Sequence, residues 1–253
     1  MRGVRKRLMA GLLALVSFMM LAGCARTSDR GSPKSREAHH AVVEGAELLD
    51  KGKEKMALKA FEKAARLAPS DREVHTAVGI LLLSERMYRE AIPYLERAVT
   101  LTPDKADVMS KVRQSELYTA VGDAYGGLRE FVRAEEAYQQ AIALNPDNAR
   151  AYNNWGYTYA DLGIELDEAL KLTQRAVELE PNNGAYVDSL GWAHFRKGNY
   201  RQAAELLKKA VRLLPSDPEP REHLAKAYEA IGDKRSAEIE YRKARLLSKR
   251  KSA

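Results

Sequence analysis

The chain has a single cysteine among 253 residues, so no intramolecular disulfide is possible and its stability must come from packing. Phe and Trp are few, four and two, against twelve Tyr. No stretch sustains the two-residue alternation of a half-buried strand, which argues against β architecture. The phosphate-loop pattern G-x-x-x-x-G-K-[ST], the G-x-S-x-G nucleophile elbow and the H-E-x-x-H zinc pair are all missing. The five histidines are His39, His40, His75, His194 and His223. Only the first two are close in sequence, and neighbours on a helix diverge by about 100°, a poor chelate. Asp188, Ser189 and His194 share a helix at spacings that do not align a nucleophile with a base. No enzyme, no cofactor, no metal and no small-molecule substrate are therefore expected.

Acidic and basic residues are nearly balanced. Four positive charges of the formal +7 lie in Arg2, Arg5, Lys6 and Arg7, where no acid accompanies them, and about +3 remains for the rest. That is no nucleic-acid signature. The basic residues Arg242, Lys243, Arg245, Lys249, Arg250 and Lys251 cluster at the C-terminus, either as a solvated helix face or as a contact for an anionic surface.

What the chain has is a beat. Pro69 and Pro103 lie 34 residues apart, Pro146 follows after 43, Pro181 after 35 and Pro215 after 34. With each proline at position 32 of its unit, position 8 is Gly45, Gly79, Gly122, Gly156, Gly191 and Ala225. Position 20 is Ala57, Ala91, Ala134, Ala169, Ala203 and Ala237, and position 27 is Ala64, Ala98, Ala141, Ala176, Ala210 and Ala244. Position 24 is mostly large, with Phe61, Leu95, Tyr138, Thr173, Leu207 and Tyr241. Small residues at fixed places let two helices approach to roughly 8–10 Å while bulky ones fill the remainder. A proline then ends the second helix.

This pattern resembles the tetratricopeptide repeat, most fully in Tyr152-Asn-Asn-Trp155-Gly156-x2-Tyr159. The resemblance implies an all-α fold, a right-handed superhelical solenoid of helix-turn-helix repeats. Six repeats are expected at 38–71, 72–105, 115–148, 149–183, 184–217 and 218–251, with a helical insertion at 106–114. The insertion adds about 13 Å of helix, as a longer helix, a linker or a projection for a partner. Pro93 is expected in the first turn of its helix. The last helix, about Arg235 to Leu247, is expected to serve as its own cap.

Leu8 to Gly23 is a 16-residue uncharged run behind the basic start, too short for a comfortable transmembrane helix. It ends in Leu21-Ala22-Gly23-Cys24, which resembles the lipobox of bacterial lipoproteins. The resemblance implies a signal peptide at 1–23, covalent lipid on Cys24, a flexible tether through residue 37 and a stable membrane anchor. Ala25, where Asp would signal inner-membrane retention, implies an outer-membrane, periplasm-facing location.

Within the repeat family, positions 2, 5, 9, 12 and 13 of the first helix face a concave groove. Carried across, these imply a partner-binding surface of Asn153, Tyr157, Asp188, Trp192, Phe195 and Arg196, with Asn154 adjacent. The alternative is that Trp192 and Phe195 pack against the neighbouring repeat. A clamp for a terminal carboxylate is disfavoured, because Ala185 and Glu219 stand where basic residues would be needed. The expected role is a scaffold that holds envelope proteins at the membrane, as an adaptor for a protease or hydrolase. A pilotin-type lipoprotein assisting secretin assembly and a cell-wall role are the alternatives.

Overall fold

The computed structural model describes residues 32–102 and 107–252. The expected signal peptide, Cys24 and the first part of the tether lie outside the described residues. Twelve α-helices and no strand occupy the described part. They are α1 (Pro33–Asp50), α2 (Glu54–Leu67), α3 (Arg72–Ser84), α4 (Tyr88–Thr100), α5 (Val108–Gly127), α6 (Phe131–Leu144), α7 (Ala149–Leu162), α8 (Leu166–Leu179), α9 (Gly184–Arg196), α10 (Tyr200–Leu213), α11 (Glu219–Ala230) and α12 (Lys234–Ser252). No described helix is long and apolar enough to cross a membrane. The chain divides inside α6 into an N-terminal unit, through Ala137, and a C-terminal unit from Tyr138.

Several helices begin on a capping side chain. At three repeat junctions the last residue of one repeat caps the first helix of the next: Asp71 accepts from Glu73 N, Asn148 from Ala151 N and Asn183 from Ala185 N. These side chains satisfy amides that have no partner within the helix. Asp107 does the same for α5 by accepting from Ser110 N at 2.7 Å. Ser32 caps α1, with Pro33 in its first turn. The helix therefore starts inside the stretch expected to be tether, because Ser32-Pro33 is itself a good helix start.

Within a repeat the two helices close on a fixed contact. A Cβ on Gly79 would meet Leu95 Cδ2 at 2.5 Å, and one on Gly191 would meet Leu207 Cγ at 2.7 Å. Position 8 is thus small because position 24 of the same repeat occupies its space. In repeat 4 position 24 is Thr173, fully buried, whose hydroxyl donates to the Ala169 carbonyl at 2.7 Å. That bond is how an apolar seam takes a polar residue at little cost.

The turn between the paired helices obeys a second rule. Gly52, Arg86, Arg129, Gly163, Gly198 and Gly232 all have φ between 60° and 87°, and all occupy position 15. Only the left-handed region reverses the chain there, and only glycine enters it without a Cβ clash. Repeat 4 carries its extra residue in this turn, and Glu165 takes φ 43° as well.

Neighbouring repeats are tied by basic residues near the end of the second helix. Arg97 Nη2 donates to the Pro69 carbonyl at 3.2 Å and Lys209 Nζ to the Pro181 carbonyl at 3.0 Å. Arg175 pairs with Asp147 at 3.5 Å, and Lys63 makes the equivalent contact inside the first hairpin, with Glu37 of α1 at 2.8 Å. Exposed pairs of this kind contribute roughly 0–1 kcal/mol each, so they set register more than stability. The apolar core does the holding, with the first helices of successive repeats in contact as α1 with α3 and α3 with α5, then α7 with α9 and α9 with α11.

One detail differs from expectation. Pro93 is the sixth residue of α4, one turn further in than expected, and it is exposed. The carbonyl it leaves without a partner can be hydrated there. The inserted residues from Val108 onward are part of the first helix of repeat 3: α5 runs unbroken for 20 residues, its first turn exposing Val108 and Met109.

Candidate functional site

The C-terminal unit contains all the residues expected in the groove. Asn153, Asn154 and Tyr157 lie on α7, and Asp188, Trp192, Phe195 and Arg196 lie on α9. Spacings of four, seven and eight from Asp188 put the α9 set on one helix face. Helix α9 packs between α7 and α11, so this face meets side chains from both.

Trp192 is not an open platform. It is 7% exposed, and its ring stacks on His223 at 4.3 Å between centroids and on Phe195 at 4.9 Å. The Lys226 ammonium lies 4.8 Å and the Arg196 guanidinium 5.7 Å from its centre. Expected as a ring offered to a partner, Trp192 is instead a packing centre that holds α9 to α11. Phe195 is half-buried between two core clusters, one centred on Trp192 and Leu172 and one on Leu207 and Leu224.

The polar members are less satisfied. Asn153 is 7% exposed and donates from Nδ2 to Asn154 Oδ1 at 3.0 Å, while its buried Oδ1 has no partner. Asp188 is 6% exposed; its Oδ2 lies 2.9 Å from His223 Nδ1, and its Oδ1 is also without a partner. A buried acceptor left empty costs about 1–3 kcal/mol, and both of these lie at position 5 of their repeats' first helices. Arg196 spans two repeats, donating to the Asp161 carbonyl beside the turn at Gly163.

Tyr157 is half-buried and lies within electrostatic reach of the Glu219 carboxylate. Burial first, then the charges of Glu219, Asp161 and Asp188, push its phenol well above the ordinary tyrosine range. Glu219 is raised in turn, by partial desolvation and by the like charges of Asp188, Asp217 and Glu222, with His223 opposing. Three consecutive repeats thus bring Tyr157, Asp188 and Glu219 together. Sequence reading did not include His223, Lys226 or Glu219 in the site. The available signal was Asp188 and His223, 35 residues apart at adjoining repeat positions, which only stacking makes neighbours.

No nucleophile and base are assembled here. Ser189 donates to the Ala185 carbonyl at 3.0 Å, Asp188 is engaged with His223, and His194 Nδ1 lies 3.3 Å from Asn199 Nδ2. Among the described residues no cluster of His, Cys, Asp or Glu could hold a metal ion.

Stacked helical hairpins with an unsatisfied polar face define a repeat-built binding scaffold. The hairpins are tetratricopeptide repeats. Residues 43–106 match the model described as tetratricopeptide repeat, residues 130–163 the model described as TPR repeat, and residues 163–244 the model described as anaphase-promoting complex, cyclosome, subunit 3. The chain is 37% identical over 95 residues to a TPR repeat-containing protein of Pseudomonas aeruginosa, covering 38% of this chain and 16% of that protein. It is 22% identical over 255 residues to the mitochondrial import receptor subunit TOM70 of Homo sapiens, covering 85% of this chain and 42% of that one. The chain therefore spans less than half the length of either relative. A crystal structure of MamA protein is similar with a TM-score of 0.54 at 26% identity, covering 72% of this chain and 93% of that one. These likenesses support protein–protein interaction through an all-α repeat scaffold.

Proposed function

We propose that this protein is a lipid-anchored scaffold of a bacterial outer membrane, facing the periplasm, that captures envelope proteins in the groove of its C-terminal unit. It then acts as an adaptor or assembly factor, not as a catalyst. The observation that carries the reading is the pair of buried, unpartnered acceptors Asn153 Oδ1 and Asp188 Oδ1 on positions that the repeat family turns toward its ligands. An extended peptide supplies backbone N–H donors at intervals that suit such acceptors, and the half-buried Tyr157 adds contact area at low entropic cost. Support for the anchor is the sequence alone, in Leu21-Ala22-Gly23-Cys24 behind an uncharged run.

Two variants of the full chain test the two halves of this reading. Cys24→Ser should move the protein out of the outer-membrane fraction; an unchanged distribution removes the anchor. Asn154→Trp should block the groove at the cost of the hydrogen bond that Asn154 Oδ1 accepts from Asn153 Nδ2. Affinity purification from detergent-solubilised envelopes, with helicity checked by circular dichroism, should then lose a partner that the wild type retains. A partner list identical to the wild type's, from a fully helical variant, removes the groove. Loss of a secretin multimer on deleting the gene would identify the assembly role as that of a pilotin.

A further inference from the structure

Helix α12 packs on α11 alone among the described elements, so only one of its faces is covered. Ala237, Glu240 and Ala244 form that face. On the opposite side Arg242, Leu246 and Lys249 follow Arg235 by seven, eleven and fourteen residues, which puts all four on one line along the helix. Arg245 and Arg250 flank the line, and all six residues are exposed, Leu246 at 56%. The five cations make no ion pair with any described residue, whereas Lys243 is paired with Glu240. Glu238 is the one exposed acid of α12, and no Asp or Glu follows Glu240 in the sequence. With 19 residues against 12 for α11, α12 also carries its last turns past the start of its partner. Two ordinary explanations fall short. The negative end of the helix dipole draws cations to the last turn only, and Arg235 and Arg242 stand well before it. A polar cap needs charge of either sign and gains nothing from an exposed leucine in its middle. Cations set around an apolar side chain suit a surface with anionic groups outside and hydrocarbon beneath, where Arg and Lys reach the headgroups and Leu dips below them. A nucleic acid offers the charge without the hydrocarbon.

We infer that the outward face of α12 rests on a bilayer surface bearing anionic lipid headgroups, with Arg235, Arg242, Arg245, Lys249 and Arg250 on the headgroups and Leu246 inserted between them. The contact is electrostatic and reversible. It is separate from the lipid on Cys24, and rests on the anchored reading only for bringing a bilayer within reach. Its effect is to fix which edge of the C-terminal unit meets the membrane.

The test uses the full chain with Cys24→Ser, which leaves no other thiol, and Leu246→Cys labelled with an environment-sensitive nitrobenzoxadiazole dye, one apolar group for another. The uncharged run Leu8 to Gly23 should hold this chain on vesicles of any composition, so the dye reads where α12 sits rather than whether the chain binds. On phosphatidylglycerol vesicles its emission should shift to the blue and brighten, and on phosphatidylcholine vesicles it should not. Each cation at an anionic surface contributes about a fivefold factor in binding, so Arg242→Gln with Arg245→Gln and Lys249→Gln should abolish the response. Salt at about 0.5 M should do the same without any substitution. A dye silent on both vesicles, equally blue on both, or unmoved by salt would overturn the inference, as would a response that survives in a fully helical triple variant. A dye that ignores phosphatidylglycerol and responds to polyglutamate would also overturn it, giving the face to an acidic protein. The two readings fail separately. If Cys24→Ser leaves the outer-membrane fraction while the dye stays silent, the anchor stands and this inference falls. If the dye responds as described but Cys24→Ser fractionates unchanged, the contact stands and the anchor falls.

Discussion

His223 Nδ1 lies 2.9 Å from Asp188 Oδ2, and both side chains are covered, the imidazole by the Trp192 ring. This pair joins repeat 6 to repeat 5 through a polar bond in an otherwise apolar seam. His223→Ala leaves Asp188 buried with neither oxygen partnered and should cost about 3 kcal/mol. The double variant Asp188→Leu with His223→Leu should recover much of that loss, because no charge is then stranded. Urea unfolding of both, followed by tryptophan fluorescence, gives the comparison; a harmless His223→Ala would show that the pair contributes nothing to stability.

The contact of Gly191 with Leu207 makes a second prediction. Gly191→Ala places a methyl group 2.7 Å from Leu207 Cγ and should destabilise by about 1–3 kcal/mol, since the core has no slack. Leu207→Val in the same chain should relieve part of the strain, so that the two costs combine less than additively. Additive costs in thermal unfolding would mean that the helices move apart instead.

Arg86 and Arg129 make a third. Both are exposed at φ 60° and 63°, where the other four repeats have glycine. Arg86→Gly and Arg129→Gly should each stabilise by up to about 1 kcal/mol, the relief of a left-handed Cβ less the added freedom of the unfolded chain. A rise in thermal midpoint for each, roughly additive in the pair, is the expected result. A fall would show that the arginine side chains make contacts that outweigh the strain.

Acid should loosen the N-terminal unit. His75 is 7% exposed, and burial first, with Arg97 nearby, pushes its pKa below 6.5; the Pro69 carbonyl, 3.2 Å from Nε2, and Asp71 oppose. Because the folded value lies below the unfolded one, the unfolded chain takes up the proton first. Stability attributable to His75 is complete above pH 6.5 and is lost as pH falls from there through the lowered folded value. Thermal midpoints between pH 7 and 5 should fall more for the wild type than for His75→Gln, and equal slopes would count against this assignment.

Much of this architecture was legible because it repeats. Pro69, Pro103, Pro146, Pro181 and Pro215 mark the period, and the small residues at positions 8, 20 and 27 mark the helix contacts. Position 15 was harder to see, since Arg86 and Arg129 interrupt the glycines and only the backbone φ unites all six. At the site, helix periodicity put Asp188, Trp192, Phe195 and Arg196 on one face, yet periodicity cannot say how deep a face lies. Trp192 is buried because His223 comes from another repeat to cover it, a contact that depends on how α11 stacks on α9. Glu219 was noticed only as a missing base, and its meaning changes once Tyr157 and Asp188 are beside it.

The closure of each hairpin on its own small residue at position 8 has a mechanical consequence. Within the C-terminal unit, contacts between hairpins run from each repeat to the ones beside it, α9 meeting α7, α8 and α11, and α11 meeting α9 and α10. Drawn from its C-terminus, that unit would therefore yield in steps, α11 and α12 leaving together before α9 and α10 bear the load. A tug from that end spends itself on the last hairpin before it reaches α7.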